Sequence, residues 1–268
     1  MLKGRLKNLS TKRNTRFVLV LILLLVCLGE AGLALNPNKN PGEFGNQVWL
    51  TENGLPQNTV QTIIQTHDGY LWFGTQDGLA KFNGTNFIVF DRENTPQLKS
   101  NDIRSLFEDR NGNLWIGTSF GLVRMQGEKF TSYTTAEGLP DNTIGPMIED
   151  RDGTLWIGTG SGLVHYVNNT FKPISIQGVN ATDVQSLIID TTGVVWIGTA
   201  LGVTSIKNGS EIQTKAMSAL AGLSVNSMVE DQTGRIWYGT DTRLAGIANN
   251  EMINLTIDNG LPDNHVII

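Results

Sequence analysis

Short segments of alternating hydrophobic and polar residues recur along the chain from residue 47 onward. In one such unit the segments are Ile103–Phe107, Asn113–Thr118, Gly121–Met125 and Lys129–Tyr133, the last being rich in aromatic and β-branched residues. Between the first two, Asp109-Arg-Asn-Gly112 predicts a hairpin turn, because glycine adopts positive φ and Asx side chains bond the backbone. After the N-terminal region no segment has a convincing amphipathic-helix pattern. Each unit therefore predicts four short antiparallel strands.

A tryptophan marks every unit, and its spacing defines a repeat. Five tryptophans lie 43, 41, 40 and 41 residues apart, and each is followed by Phe, Ile or Tyr and then Gly-Thr. A glycine precedes each tryptophan by three residues, and an aspartate precedes it by six in four copies, with Thr66 in the first. Four strands in about forty residues, repeated, are typical of a β-propeller. We expect the tryptophans to pack between blades, burying about 200 Å² each; they are Trp72, Trp115, Trp156, Trp196 and Trp237.

The first 34 residues have the pattern of an export signal. Six Lys and Arg residues precede an unbroken apolar run at 17–28, which is short for a membrane span. Small residues at Gly32 and Ala34 predict cleavage after Ala34; an uncleaved membrane anchor is the alternative, and Val26 disfavours a lipoprotein site at Cys27. A cleaved signal peptide and an uncleaved anchor would both place the residues after 34 outside the cytoplasm. We assign 1–34 to the signal peptide or anchor, 35–46 to a linker and 47–268 to the propeller.

Charge and composition exclude several functions. Removing residues 1–34 takes away six of 20 basic and one of 25 acidic residues, which leaves 14 against 24, a net charge of about −10. Such an acidic surface argues against nucleic acid. Three scattered histidines and the single Cys27 argue against a zinc site, and the Asp-x-x-Gly turns lack the further ligands that calcium needs. We therefore expect no cofactor, no metal and no catalytic constellation.

The repeated blocks resemble the two-component regulator propeller repeat. That repeat reads roughly Gly-Leu-Pro-x-Asn, a strand, Asp-x-x-Gly-x-Leu-Trp-Ile-Gly-Thr and Gly-Leu. The chain carries its start at Gly54-Leu55-Pro56-Gln57-Asn58, Gly138-Leu139-Pro140-Asp141-Asn142 and Gly260-Leu261-Pro262-Asp263-Asn264. Gly178-Val179-Asn180 and Gly222-Leu223-Ser224 lack the proline, and Arg243 replaces the last glycine in the fifth copy. The resemblance implies the periplasmic sensor of a membrane-spanning protein, with a histidine kinase or diguanylate cyclase as output.

The two ends of the chain do not match one another. Gln47–Leu50 precedes its Gly-Leu-Pro motif as Thr131–Tyr133 precedes the next, so it predicts a fourth, outer strand. At the other end a further block opens at Asn264–Ile268, and no output domain is visible before Ile268. We therefore expect an all-β propeller of five full blades with partial blades at both ends, an open arc from a truncated ring.

The loops between the second and third strands differ from blade to blade within a constant frame. In a propeller these loops share a face with the connections between blades, and varied loops on a rigid frame make binding sites. The candidate ligand-binding residues in these loops are Gln76, Asp77, Ser119, Phe120, Ser161, Asp241 and Arg243.

Three functions remain open. The first is a ligand-sensing propeller of an inner-membrane signalling protein, binding a small molecule, oligosaccharide or peptide, and a homodimer is one arrangement it allows. The second is a protein-interaction scaffold in the envelope. The third is a propeller lyase resembling streptogramin-inactivating enzymes, which predicts a catalytic histidine and metal-binding acids at the channel mouth. His165 is the only histidine embedded in a complete blade strand.

Overall fold

A computed structural model describes residues 47–174, 183–212, 214–248 and 251–266. The chain divides into an N-terminal unit that ends at Val48 and a second unit, Trp49–Ile268, which carries the sheets. The predicted export signal at 1–34 and the linker at 35–46 lie outside the described residues. Within the described ranges no helix is both long and apolar enough to cross a membrane.

Five antiparallel four-stranded sheets, the blades, follow one another along the chain, and within each sheet the strands lie in sequence order. Blade 1 comprises β1 (Val60–Gln65), β2 (Leu71–Thr75), β3 (Gly78–Phe82) and β4 (Phe87–Phe90). Blade 2 comprises β5 (Ile103–Glu108), β6 (Leu114–Thr118), β7 (Gly121–Gln126) and β8 (Lys129–Tyr133). Blade 3 comprises β9 (Ile144–Glu149), β10 (Leu155–Thr159), β11 (Gly162–Val167) and β12 (Thr170–Ile174). Blade 4 comprises β13 (Val184–Ile189), β14 (Val195–Thr199), β15 (Gly202–Lys207) and β16 (Ser210–Glu211). Blade 5 comprises β17 (Val225–Glu230), β18 (Ile236–Thr240), β19 (Leu244–Ala248) and β20 (Glu251–Leu255).

The first strands of the blades pack side by side and line the axis of the arc. Contacts join β1 to β5, β5 to β9, β9 to β13 and β13 to β17, and within the described residues no contact of this extent joins β17 back to β1. A further block begins on blade 5, where the backbone N–H of Val266 donates to the carbonyl of Thr240 at 3.0 Å. The predicted all-β propeller of four-stranded blades in an open arc is confirmed.

Two details differ from the sequence-based expectation. Gln47–Leu50, predicted as an outer strand, contains no strand; a 3-10 turn follows at Thr51–Asn53. Trp49 packs instead edge-on against Phe82, with ring centroids 4.8 Å apart. The expectation of no helix also fails once, at the short helix α1 (Lys215–Ala219) in the connection from blade 4 to blade 5.

An aspartate clips each hairpin turn to the repeat tryptophan. In blades 2 to 5 the indole N–H donates to one carboxylate oxygen of the turn aspartate, over 2.8–3.0 Å. The other oxygen accepts two backbone N–H groups of the same turn. In blade 1 the hydroxyl of Thr66 accepts the indole N–H of Trp72 at 3.1 Å. The clip gives the indole N–H a hydrogen-bond acceptor, which it would otherwise lack once the ring is buried.

These hydrogen bonds lower the pKa of the turn aspartates in blades 4 and 5. Burial alone would raise the pKa of Asp190, but hydrogen bonds from Trp196, Thr192 and the turn backbone hold the pKa of this carboxyl below its usual value. Hydrogen bonds from Thr233 and Trp237 lower the pKa of Asp231 in the same way. In blades 4 and 5 the clip therefore stabilises the fold in its ionised form.

The glycine of each Trp-x-Gly-Thr motif lets two blades approach closely. A side chain at Gly198 would collide with the hydroxyl of Ser186 and lie 2.6 Å from the carbonyl oxygen of Val225 in blade 5. That space is used, since Ser186 donates to the same carbonyl at 2.9 Å and ties blade 4 to blade 5. In blade 2 Ser105 ties to Gly145 of blade 3 in the same way, at 2.6 Å.

Asp190→Asn should lower the free energy of unfolding at pH 7 by about 2 kcal/mol, because the charged acceptor for the Trp196 indole is lost. The folded-state pKa of Asp190 is depressed, so its contribution is complete above the unfolded-state value of about 3.9 and is lost as pH falls through the folded-state value. Urea denaturation should therefore show the difference from the wild type shrinking at pH 3. Asp152→Asn, at an exposed turn position, is the control. An equal loss of stability in this variant would contradict a stabilising role for the hydrogen bond between Asp190 and Trp196.

Gly198→Ala should cost about 1–3 kcal/mol, because a methyl group must displace the backbone of the neighbouring blade. Gly160→Ala is the matched control, since its new methyl would meet nothing nearer than Asp141 at 3.4 Å. Urea midpoints of the two variants measure the difference. Equal midpoints would show that the blades do not depend on this close approach.

Candidate ligand-binding face

The loops between the second and third strands lie on the same face as the connections between blades, here called the connector face. Ser119 donates its backbone N–H to the carbonyl of Asp102 at 3.1 Å, and Gly160 donates to Thr143 at 3.1 Å. Gly222, in the connection to blade 5, donates to Leu201 at 2.8 Å. The varied loops and the blade connections thus form one surface around the axis.

Three of the predicted site residues are bonded to neighbours on this face. The hydroxyl of Ser119 lies 2.8 Å from that of Ser100, and Ser161 donates to a carboxylate oxygen of Asp141 at 2.7 Å. Hydrogen bonds from the Thr143 backbone and from Ser161 outweigh burial and lower the pKa of Asp141. Asp241 accepts the side-chain amide of Asn226 at 2.7 Å.

Gln76, Asp77 and Phe120 lie exposed at the tips of the first and second of these loops. More than half of the Phe120 surface, 54%, faces solvent. Leu201, at the same position in blade 4, is 60% exposed. The connector face therefore carries two isolated apolar groups among polar ones.

Arg243 occupies a different environment from the other predicted residues. Its guanidinium is half-buried and donates to the carbonyl of Ala219 at the end of α1, at 3.2 Å. The loop nevertheless closes as in other blades, since the Thr240 hydroxyl donates to the Arg243 carbonyl as Thr199 does to Gly202. Arg243 therefore fastens a connection between blades.

The residues that line the axis escaped sequence reasoning. The register between the first two strands shifts at one residue in blades 1, 2, 4 and 5. The residue left unpaired is polar in all four, and such bulges re-aim side chains. The four residues are Gln61, Arg104, Gln185 and Asn226. A polar residue directly after the first β-branched residue of four of the five blocks was the available signal.

Blade 3 interrupts this polar lining. Its shifted register includes Gly145 and Pro146, which offer no polar side chain. A cavity of about 410 Å³ opens there, lined by Gln61, Arg104 and Gln185 of three other blades. The axis thus has a gap at blade 3 with hydrogen-bonding groups on both sides.

Hydrogen bonds hold the groups on each side of the gap. On one side Asp102 accepts from Gln61 at 2.8 Å and from Arg104 at 3.3 Å. On the other, Ser224 donates to Gln185 at 2.6 Å. Amide and guanidinium groups of this kind suit a polar ligand rich in hydroxyl, carbonyl or carboxylate groups.

The structure also places the possible metal ligands and two of the histidines. Within the described ranges, no group of three or more His, Cys, Asp or Glu side chains could hold a metal ion. His265 lies near the connector face, with its ring nitrogen 3.3 Å from Asp241. His165, considered as a lyase histidine, instead stacks edge-on against Trp156 at 3.9 Å, in the space between blades 3 and 4.

Three of the repeat tryptophans are buried, and Trp196 and Trp237 are half-buried. Trp72 and Trp115 are 1% exposed and Trp156 is 7% exposed. Trp115 belongs to a cluster with Leu155, Ile157 and Val164 of the next blade. The rings fill the interfaces between blades, and their N–H groups are committed to the turns.

Comparison with known proteins agrees with this architecture. The sequence profile of the two component regulator propeller matches four segments: residues 54–77, 97–120, 138–161 and 219–242. Each segment runs from a blade connection to a loop between second and third strands. None of the curated proteins matches the chain.

Solved structures from B. thetaiotaomicron are similar over most of the chain. The extracellular domain assigned to a one component system is 27% identical with a TM-score of 0.64, covering 79% of this chain and 30% of that one. The extracellular domain assigned to a hybrid two component system is 25% identical with a TM-score of 0.58, covering 77% and 35%. This chain thus spans about a third of either structure.

A streptogramin B lyase shares the fold alone, at 14% identity and a TM-score of 0.57, covering 79% of this chain and 72% of the lyase. The four profile matches fall on blades 1, 2, 3 and 5, whose turns and tryptophans the structure places in equivalent positions. Residues 49–268 therefore form a propeller arc, and four segments of it match the two component regulator propeller repeat.

Proposed function

We propose that this arc is part of the extracytoplasmic sensing domain of a bacterial signal-transduction protein. The single observation that carries the proposal is the gap at blade 3, where side chains from three blades converge on one cavity of the connector face. The similarity to extracellular domains of signalling systems supports the same role. On this proposal the arc itself is non-catalytic.

The site favours a polar ligand that reaches into the gap. Arg104 is exposed, and among the described residues the carboxylate of Asp102 holds it, so its guanidinium has donors left for a ligand oxygen. Gln185, across Gly145, presents an amide that hydrogen-bonds hydroxyl and carbonyl groups. Phe120 and Leu201 offer apolar contacts on the same face. An oligosaccharide or a peptide fits this mixture.

The location and the output are parts of the same proposal. A basic segment and an apolar run precede the arc, and we propose that they export it or anchor it at the inner membrane. The output domain, a histidine kinase or a diguanylate cyclase, would lie in a longer protein. Reading the gene beyond codon 268 tests this: a membrane helix followed by either domain is expected, and a stop codon without them would contradict it.

An envelope scaffold is the second candidate, favoured by the two exposed apolar side chains of the connector face. A scaffold would bind a folded protein over a wide surface, whereas a sensor would bind a ligand in the cavity. Substitutions at Phe120 and at Arg104 therefore separate the two roles. Loss of binding with Phe120→Ala alone would favour the scaffold.

Arg104→Ala should weaken binding by about tenfold or more, because charge-assisted hydrogen bonds to the ligand are lost. Oligosaccharide and peptide arrays identify a bound compound, and titration calorimetry on it measures the change. The Arg104–Asp102 pair is exposed, so the free energy of unfolding should change by less than about 1 kcal/mol.

Glu128→Ala, at an exposed hairpin position on the other face, is the matched control and should bind like the wild type. Equal affinity of the Arg104→Ala variant and the control would show that the gap is not part of the binding site. Melting temperatures of all three proteins check that each one is folded.

A further inference from the structure

Two carboxylates occupy equivalent positions on the two sides of the gap at blade 3. Each lies directly before the first residue of a first strand: Asp102 before Ile103 of blade 2, and Asp183 before Val184 of blade 4. Blade 3, with Gly145, lies between them. What each carboxylate contacts therefore decides the charge on either side of the gap.

The charge of Asp102 is balanced within its own neighbourhood. One of its carboxylate oxygens accepts from the side-chain amide of Gln61 at 2.8 Å. The other pairs with Nε of Arg104 at 3.3 Å. Both oxygens thus have a partner, and the guanidinium cancels the negative charge on this side of the gap.

Asp183 lacks such a counter-ion. Where blade 2 has Arg104 at the bulge, blade 4 has the neutral Gln185. The amide of Gln185 lies 3.4 Å from a carboxylate oxygen of Asp183, which is longer than a typical hydrogen bond. Among the described residues Asp183 forms no ion pair. One negative charge on the blade 4 side of the gap is therefore unbalanced.

The backbone holds Asp183 in an uncommon conformation. Its φ of 55° lies in the left-handed region, which costs a residue with a side chain on the order of 1 kcal/mol. Its backbone N–H donates to the carbonyl of Gly160, in the loop between the second and third strands of blade 3, at 2.9 Å. Asp102 does not share this conformation. Blade 4 thus fixes its aspartate against the neighbouring blade, although the local conformation is unfavourable.

Arg104 supplies the opposite charge on the blade 2 side. Asp102 occupies its Nε, and within the described ranges the two terminal nitrogens have no hydrogen-bond partner. These nitrogens can meet the oxygens of a carboxylate. Arg104 and Asp183 both line the same cavity of about 410 Å³, a volume within the range of small-molecule sites.

This charge arrangement discriminates between classes of ligand. A ligand with only carboxylates would suit Arg104 but would be repelled by Asp183, and the reverse holds for a ligand with only an ammonium group. A neutral ligand would leave both charges without an ionic partner. A ligand that carries both groups pairs with both side chains, so the gap favours it over the other classes.

We propose that the gap at blade 3 binds a zwitterion of the amino-acid and short-peptide class, whose carboxylate pairs with Arg104 and whose ammonium group pairs with Asp183. The amides of Gln61 and Gln185, which also line the cavity, suit the polar groups between the two charges. This inference rests on the proposed sensing function and narrows its ligand from a polar compound to one with two opposite charges.

Blocking one charge of a probe at a time tests the proposal. The probes are L-alanyl-L-alanine, its N-acetyl form and its C-terminal amide, and ligand-observed NMR with the purified chain measures their affinities. We expect saturable binding of the dipeptide. Each blocked form should bind about tenfold more weakly, because one charge-assisted pair is lost. Equal affinity of the dipeptide and either blocked form, or no saturable binding of the dipeptide, would overturn the proposal.

Variants assign each charge of the ligand to its residue. Asp183→Asn should weaken binding of the dipeptide about tenfold but should not weaken binding of the N-acetyl form, which has no ammonium group. Arg104→Gln should weaken binding of the dipeptide but not of the C-terminal amide. If Asp183→Asn weakened binding of the dipeptide and the N-acetyl form equally, the ammonium group would not pair with this residue and the proposal would be wrong.

Asp152→Asn is the matched control, since it also removes one carboxylate but at an exposed turn on the opposite face. It should bind the dipeptide like the wild type, and melting temperatures check that every variant is folded. A loss of dipeptide affinity in this control equal to that of Asp183→Asn would show that overall charge, not the gap, governs binding, and would overturn the proposal.

Failure of this inference can be told apart from failure of the sensing role. A neutral oligosaccharide whose binding requires Arg104 but is unchanged by Asp183→Asn would overturn the zwitterion and leave the sensing role in place. If no compound of the oligosaccharide and peptide arrays required Arg104 for binding, both proposals would fall.

Discussion

The hydrogen bond between each repeat tryptophan and the aspartate of its own turn is the interaction on which this fold depends. A buried indole supplies a large part of each blade interface, but its N–H requires an acceptor. The aspartate lies six residues earlier and is already fixed by the turn backbone, so it provides that acceptor without further ordering. Local turn geometry and packing between distant blades are thereby joined in one contact.

Because the frame is fixed by so few residues, the chain can vary elsewhere without losing the fold. It does so at the bulged residue of each first strand and at the ring positions between blades. The cavity at the axis lies where blade 3 departs from the repeat, at Gly145-Pro146. The departures from the repeat, more than the repeat itself, therefore carry the candidate chemistry.

Blade 3 contributes Gly145 in β9, which opens the gap at the axis. The streptogramin B lyase shows that this fold also serves an enzyme, so the fold alone does not assign a function. The assignment must come from the side chains at the gap.

The sequence by itself determined the period, the blade strands, the Asp-x-x-Gly turns and the burial of Trp72, Trp115 and Trp156. These follow from local rules, since strand alternation and turn chemistry depend on residues within one hairpin. It failed at Gln47–Leu50, which form no strand, because pairing with a sheet depends on residues distant in the chain.

Only the tertiary structure showed that Arg104 and Gln185 face one cavity. A bulge interrupts the alternation of side chains between the two faces of a sheet. The sequence pattern therefore does not predict which face the bulged residue lies on. Packing between blades is decided by residues that are distant in the chain, and for that reason the structure alone decided where the gap lies.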